Sequence, residues 1–514
     1  MFKKIKEFFR VLGELKYIIP LLRYKFPDPD DNESLAHSFE KTVKQFGDNN
    51  FIFFEDENWS YSETNNAANS LANKLIEDGV CHSDRVVLFM ENRPDFIITI
   101  LALNKIGAIG VLINTSLKGR PLIHCINSSD SKKCIVGAEL ASSLEDVLDE
   151  INLKNKSDIY WVEDGDRFIC PEWALNLKPS LDDSKNENLG ITNMVTAKDT
   201  AFYIFTSGTT GVPKAALFPN SKIIAASMNI SKGGYRISDS DCMYNCLPLY
   251  HSTGLMLGLC ACIQVGAATF IRRKFSASAF WKEAKQFNTT AFVYVGELCR
   301  YLSFQDSSEE EKDNPISSMV GNGLRPDLWD CFRNRFNVER IIEIYGASEG
   351  NALFMNLLNK DETIGMTNAR VALLEYDVAE DKLVKDTENK FIEVDEDEPG
   401  LLLVEIGPDA IYNGYTDKKA SEEKVISNVF ENGDRWFNTG DLVKTMDVGF
   451  SLGRTHYQFV DRVGDTFRWK SENVSTNEVA EILNAFDQVN MANVFGVKVP
   501  QSEGRAGMVA FNCN

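Results

Sequence analysis

Residues 203–217 read YIFTSGTTGVPKAAL, an apolar strand-like run that breaks into hydroxyl and glycine residues before Pro213 and Lys214. Six of the nine residues 206–214 are Thr, Ser or Gly. Glycine lets a backbone curl until successive N–H groups converge on one anion, and Thr and Ser hydroxyls add donors. The pattern therefore predicts a phosphate cradle after a buried strand, with Lys214 as its positive charge. The order departs from the Walker loop, because Pro213 precedes the lysine and Ala215 follows it where Ser or Thr is required. A different grip on phosphate is implied. The competing reading is an exposed, pliable Gly/Thr-rich loop.

The 514 residues, 44% hydrophobic and 25% charged, suffice for several packed layers and more than one domain. A formal net charge of -21 argues against nucleic acid, whose backbone requires clustered Lys and Arg that this chain lacks beyond its first residues. It does not exclude ATP. One lysine about 4 Å from a phosphate charge gains roughly 4 kcal/mol at an effective dielectric near ~20, whereas remote carboxylates are screened beyond about 8 Å. The eleven cysteines contain no CxxC pair, which reads as free thiols in a reducing compartment. Cys242, Cys246, Cys260 and Cys262 admit a metal site, but their apolar surroundings favour core packing.

The first residues, MFKKIKEFFRVLGELKYIIPLLRYKF, scatter charges among apolar positions and read as an amphipathic helix over 1–28 rather than a signal peptide. Ile5, Phe8, Phe9, Leu12, Leu15, Ile19 and Leu22 fall at three- and four-residue steps. Each charge costs about 2.5–3.5 kcal/mol at a bilayer centre against about 0.3–0.6 returned per Leu, Ile or Phe, so the helix lies on a membrane surface or packs on its own protein. Residues 242–271 lack any Asp, Glu, Lys or Arg. Pro248, His251 and Gly254 interrupt them, and the run reads as a buried helix followed by a short strand.

From residue 61 the text alternates helix-like and strand-like pieces, YSETNNAANSLANKLIEDG, DRVVLFM, RPDFIITILALNKIG and AIGVLIN, predicting α/β layering on a parallel sheet. TTAFVYV and RIIEIYG read as further buried strands. Over 373–406 the text turns to acidic, alternating, hairpin-like segments, which suggests a smaller barrel-like unit. SSEEEKDNP (307–315) reads as a solvated loop.

Further motifs join the opening loop: EIYGASEGN (343–351), RWFNTGDL (435–442) and FVDRVGDTFRWKSENVSTNEVAEIL (459–483). With TSGTTGVPK they resemble the acyl-adenylate-forming ligases, and LPLYHSTG, GNGLRPDLW and DTFRWKSENVST resemble the fatty acid transport protein or very-long-chain acyl-CoA synthetase branch, over about residues 33–507. The resemblance implies a large α/β domain of stacked mixed sheets with a barrel-like unit over 29–461, and a hinge with part of a small α+β domain over 462–514. It implies long-chain fatty acid, ATP, Mg2+ and coenzyme A as reactants, giving acyl-AMP and pyrophosphate and then acyl-CoA. It further implies a cytosol-facing membrane surface of the endoplasmic reticulum, plasma membrane or peroxisome, and admits a homodimer.

Residue by residue, the resemblance implies that Thr206, Ser207, Gly208, Thr209, Thr210, Gly211 and Lys214 wrap the β- and γ-phosphates. Glu349 would hold Mg2+, with Ser348 near the α-phosphate. Tyr345, beside Gly346, would stack on adenine, and Gly321, Asn322 and Gly323 would bring backbone to the ring edge. Asp441 would accept from the ribose hydroxyls, and Arg462 would bridge ribose and phosphate. Tyr250 and His251 would stand near the acyl group, with core packing as the competing reading; Leu255, Met256 and Leu257 fit an acyl tunnel or a core helix equally.

Two features depart from the pattern. Gly464 stands at the expected hinge where many relatives carry a charged residue, which suits a backbone pivot, and Ser471 replaces a usual glycine near the pantetheine path. The resemblance also calls for a lysine-bearing segment after residue 514, so the alternative expectation is a catalytically weak or silent nucleotide-binding, lipid-handling protein. An adenylate-former serving another acceptor is the third reading.

Overall fold

The computed structural model describes residues 2–153, 155–165, 168–181, 185–206, 213–346, 351–378, 380, 382–407, 410, 412, 418–463, 467–469, 472–474, 476, 479, 480, 483, 488–498 and 505–513.

Two sheets rich in parallel strands carry the large domain. The first runs Leu175–Asn176, Ile159–Val162, Lys133–Gly137, Arg85–Phe89, Ile109–Leu112, Thr200–Thr206, Lys214–Pro219, parallel throughout except for the last, antiparallel pair. The second has eight strands, in the order Phe354–Met355, Arg340–Tyr345, Ser318–Asn322, Ala291–Val295, Cys242–Asn245, Ala268–Ile271, Asn50–Phe54, Glu57–Ser60. Its interior is parallel and both edge pairs are antiparallel. Strands buried on both faces must be apolar along their whole length, which is why KCIVG, IYWV and AFVYV carry almost no alternation. One hydrophobic core joins Leu88 and Ile204 of the first sheet, Met243 and Val293 of the second, and Phe39, Leu71 and Ile97 of the helices Leu35–Phe46, Tyr61–Glu77 and Pro94–Lys105.

These helices start where their sequences instruct. Ser60 and Glu63 close a reciprocal capping box on Tyr61–Glu77, and Pro94 opens a helix whose side chains are nearly all buried. The stretch 242–271 forms a strand, a buried helical segment Thr253–Cys260 and a second strand, as its composition predicts. Cys242, Cys246, Cys260 and Cys262 are buried free thiols, and burial raises each thiol pKa. Among the described residues no group of His, Cys, Asp and Glu is arranged to hold a metal.

An antiparallel unit follows, in which Val371–Leu374, Gly400–Glu405, Arg435–Met446 and Val425–Ser427 lie side by side and His456–Arg462 adds to Arg435–Met446. The change of style over 373–406 thus marks a real change of architecture. Beyond it, Val489–Lys498 and Arg505–Cys513 pair antiparallel over Phe467, whose ring fills the space that side chains at Gly496 and Gly507 would take.

Two expectations need correction. The 307–315 stretch is not simply solvated: it holds a short helix, Glu309–Lys312, and Glu311 is buried against the Arg335 guanidinium at 2.9 Å. The first helix, Phe2–Arg23, does lie on its own protein, but not by its apolar row. Ile5, Phe8, Phe9, Ile19 and Leu22 are exposed, Phe9 at 66% and Leu22 at 68%, while Val11, Glu14 and Ile18 face inward. Glu14 pairs with Arg236 and, at 3.0 Å, with Arg340; Glu7 pairs with Arg10 at 2.8 Å and with Lys360. Partners on the body, which no helical period reports, decided the docking face. No helix among the described residues is long and apolar enough to cross a membrane.

Candidate nucleotide-binding site

In a parallel sheet every strand delivers its final residue to the same edge, so the C-terminal ends gather side chains far apart in sequence. Ala291–Val295, Ser318–Asn322 and Arg340–Tyr345 are adjacent and parallel, and they end at Val295, Asn322 and Tyr345. Cys242–Asn245 runs the same way and leads into Tyr250 and His251. Thr200–Thr206 is parallel to Ile109–Leu112 and ends at the first residue of the glycine-rich loop.

Tyr345 donates its hydroxyl to Asp441 Oδ2 at 2.6 Å. Asp441 reaches it from the antiparallel unit, where it lies opposite Arg462 across two strands, and Arg462 Nε is 3.2 Å from Asp441 Oδ1. Burial, and then the Asp441 charge, raise the Tyr345 hydroxyl well above its usual pKa, so it stays a neutral donor. Asp441 is 4% exposed whereas Arg462 is largely exposed. The geometry thus sets an aromatic face, a buried carboxylate and a mobile-length cation together where two sheets meet. Three predicted residues from three separate motifs converge here.

The glycine turn gives a mixed outcome. Asn322 and Gly323 are exposed, with Gly323 in the left-handed region at φ +82°, but Gly321 is buried. A side chain at 321 would meet the Tyr294 carbonyl at 2.1 Å and its ring at 2.7 Å. Gly321 thus lets its strand pack closely on Tyr294, and the next two residues form the exposed part of the turn.

At either end of the glycine-rich stretch, Thr206 and Lys214 face each other as the last pair of two antiparallel strands. Ser207, Gly208, Thr209, Thr210 and Gly211 lie outside the described residues, as do Ser348, Glu349, Gly464 and Ser471. Gly346 is described and exposed beside Tyr345. Tyr250 is half-buried against the main core, and burial raises its hydroxyl pKa; the His251 ring keeps an exposed edge while the protein packed around it lowers its pKa. Leu255, Met256 and Leu257 are buried in the main core.

The sequence reading passed over two residues. His124, on the helix Gly119–Ser128, places Nε2 3.1 Å from the Pro213 carbonyl, so the tautomer protonated there ties the loop's exit to that helix. Glu343 is fully enclosed beneath the glycine turn. Its signal was a single acid inside the apolar strand RIIEIY, read as part of a motif rather than as a buried charge.

The chain belongs to the AMP-binding enzyme family, whose model matches residues 39–415. It is 38% identical over 482 residues to a medium/long-chain-fatty-acid–CoA ligase, FadD6, of Mycobacterium tuberculosis, covering 94% of this chain and 78% of the relative. It is 35% identical over 514 residues to long-chain fatty acid transport protein 6 of Mus musculus, covering 98% of this chain and 80% of the relative. Among solved structures, an anthranilate CoA ligase in complex with anthranoyl-AMP superposes with a TM-score of 0.75 over 93% of this chain and 86% of that one at 18% identity, a likeness of fold. An ATP-bound MatB from Rhodopseudomonas palustris gives 0.75 over 93% and 89%, also at 18% identity. The family read from the motifs is thus the family the chain belongs to.

Proposed function

We propose that this protein is an ATP-dependent long-chain fatty acid–CoA ligase. The fatty carboxylate oxygen bonds to the α-phosphorus of ATP as the bond to pyrophosphate breaks; the coenzyme A thiol, losing its proton, then displaces AMP from the acyl carbon. The observation that carries this reading is the convergence of Tyr345, at the end of a parallel strand, with Asp441 and Arg462 of the antiparallel unit, three motif residues of the family. Tyr345 offers a ring to the purine, Asp441 offers acceptors to ribose hydroxyls, and Arg462 reaches toward the phosphates. Thr206 and Lys214 hold the pyrophosphate, whose charge must be balanced for two anions to meet. Mg2+ fits a carboxylate such as Glu349 on the family motif, with Ser348 beside it. Tyr250 and His251 border the acyl carboxylate, and Ser471 the coenzyme A path.

We place the domain boundaries after residues 28 and 461, with Gly464 as the pivot. The outward row Ile5, Phe9, Ile19 and Leu22 on a helix docked through its charged side supports a membrane-surface contact at this end of the protein.

The test incubates the purified 514-residue chain with a long-chain acid, magnesium ATP and coenzyme A, following pyrophosphate and acyl-CoA. Both products, each dependent on the acid, are expected. ATP binding by calorimetry with neither product would overturn the ligase reading.

A further inference from the structure

Tyr294, Gly321 and Glu343 occupy one row across three neighbouring parallel strands, since Tyr294 is in register with Gly321 and Gly321 with Glu343. The central member of the row has no side chain, so the outer two meet over it: the Tyr294 hydroxyl donates to Glu343 Oε1 at 2.7 Å. The same carboxylate accepts from the Leu324 N–H at 2.8 Å and, through Oε2, from the Gly323 N–H at 3.0 Å. Among the described residues no cation forms an ion pair with it. Three donors, two of them backbone groups of the turn, thus do what a counter-ion does elsewhere.

A bare carboxylate is an expensive choice for stability, because taking it from water costs several kcal/mol unless donors replace the lost hydration. What it does hold is position: Glu343 sits two residues before Tyr345 on the same strand and grips the backbone of the turn that Asn322 and Gly323 expose. Strand 340–345 therefore carries Tyr345 and, through Glu343, holds the backbone at 323–324.

We propose that Glu343 is a positioning residue for the nucleotide: its ionised carboxylate sets the distance between the 322–323 backbone and the Tyr345 ring, and so the fit of the purine. This rests on the nucleotide reading of the site given above. Burial pushes the Glu343 carboxyl up to about 7, with the turn amides and Tyr294 opposing that rise. The titratable groups that face it are Tyr294, on the strand beyond Ser318–Asn322, and Cys299 on the helix Gly296–Ser303; burial raises both well above their usual values, so neither changes charge near neutrality. Protonation of Glu343 puts a hydrogen where an amide or the phenol donates, and one of the three bonds is lost.

Glu343→Gln keeps the shape but turns an amide NH2 toward donors. With the full chain, its KM for ATP is expected to rise about tenfold or more while kcat and the KM for the fatty acid stay within about threefold. The wild-type KM for ATP is expected to rise as pH falls through 7, and that dependence to vanish in the variant. Tyr294→Phe removes one donor and leaves the charge, so the inflection is expected to move to higher pH. A folded Glu343→Gln protein with unchanged KM for ATP, or a Tyr294→Phe inflection that stays in place, overturns the proposal. Should the wild type show no calorimetric binding of magnesium ATP, the nucleotide reading itself fails, which separates the two outcomes.

Discussion

The candidate nucleotide site and the first helix both carry residues that a reader of the sequence would single out, yet they obey opposite rules. In the cleft, polar residues inside apolar strands converge: Asp441 is drawn in to Tyr345 from a separate sheet, and Glu343, on the Tyr345 strand, is bonded to the backbone of a neighbouring turn. On Phe2–Arg23 most of the conspicuous apolar row faces outward, and the charged residues Glu7, Arg10 and Glu14 make the attachment together with Val11 and Ile18, which pack with Leu358. Burial follows the availability of a partner, not hydrophobicity alone. A buried carboxylate with two arginines is tolerated where an isolated one is not.

The largest expected effect lies at the phosphate loop. Lys214→Ala should lower the rate of pyrophosphate release by about 10²–10³, because one preorganised charge on a developing anion is worth that much; a change under threefold would detach the hairpin from the chemistry. Next comes the helix. Glu14→Ala leaves Arg340 and Arg236 without their shared carboxylate and should destabilise the fold by about 3 kcal/mol or more, read as a lower midpoint in urea. If the midpoint does not move, the ion pairs do not hold the helix and the contrast with the cleft collapses.

Asp441→Asn sharpens the comparison within the cleft itself. It keeps an acceptor for Tyr345 but removes the charge facing Arg462, so the KM for ATP should rise about tenfold with the fatty acid KM unchanged. Smallest in stability is the outward row. Phe9→Ser with Leu22→Ser should shift stability within about 0.5 kcal/mol per site while reducing sedimentation with anionic vesicles; retained vesicle binding would remove the membrane role from this face.

Acid supplies a last discriminator. The Arg10 hydrogen bond, with Lys360 adding to it against the cost of burial, holds the Glu7 carboxyl down to about 2. A depressed folded-state value means that the stability it contributes is present above the ordinary value of 4.5 and is lost as pH falls toward 2. Glu343 has the opposite sign: raised to about 7, it favours the folded state below 4.5 and gives up that contribution as pH climbs through 7. Thermal midpoints of Glu7→Gln and wild type should therefore differ most above pH 4.5 and converge as pH falls to about 2.

The α/β alternation, the buried strands and the barrel-like unit were legible because a strand covered on both faces must be apolar and a capped helix announces its start. Tyr345, Asp441 and Arg462 were legible as motif residues, though nothing in their spacing says that a hydroxyl of one meets a carboxylate of another. Glu343 and His124 were not legible as site residues, since a lone acid in a strand and a lone histidine on a helix look alike whether they point to solvent or to backbone. The docking face of Phe2–Arg23 was not legible for a related reason: helical periodicity sorts side chains into rows but does not say which row meets Arg236, Arg340 and Lys360. Local pattern, which depends on neighbours in the chain, was determined by the sequence by itself. Pairing between residues far apart in the chain was decided only when the tertiary fold brought separate sheets and the first helix together, because hydrogen bonds and ion pairs depend on distances that the linear order does not contain.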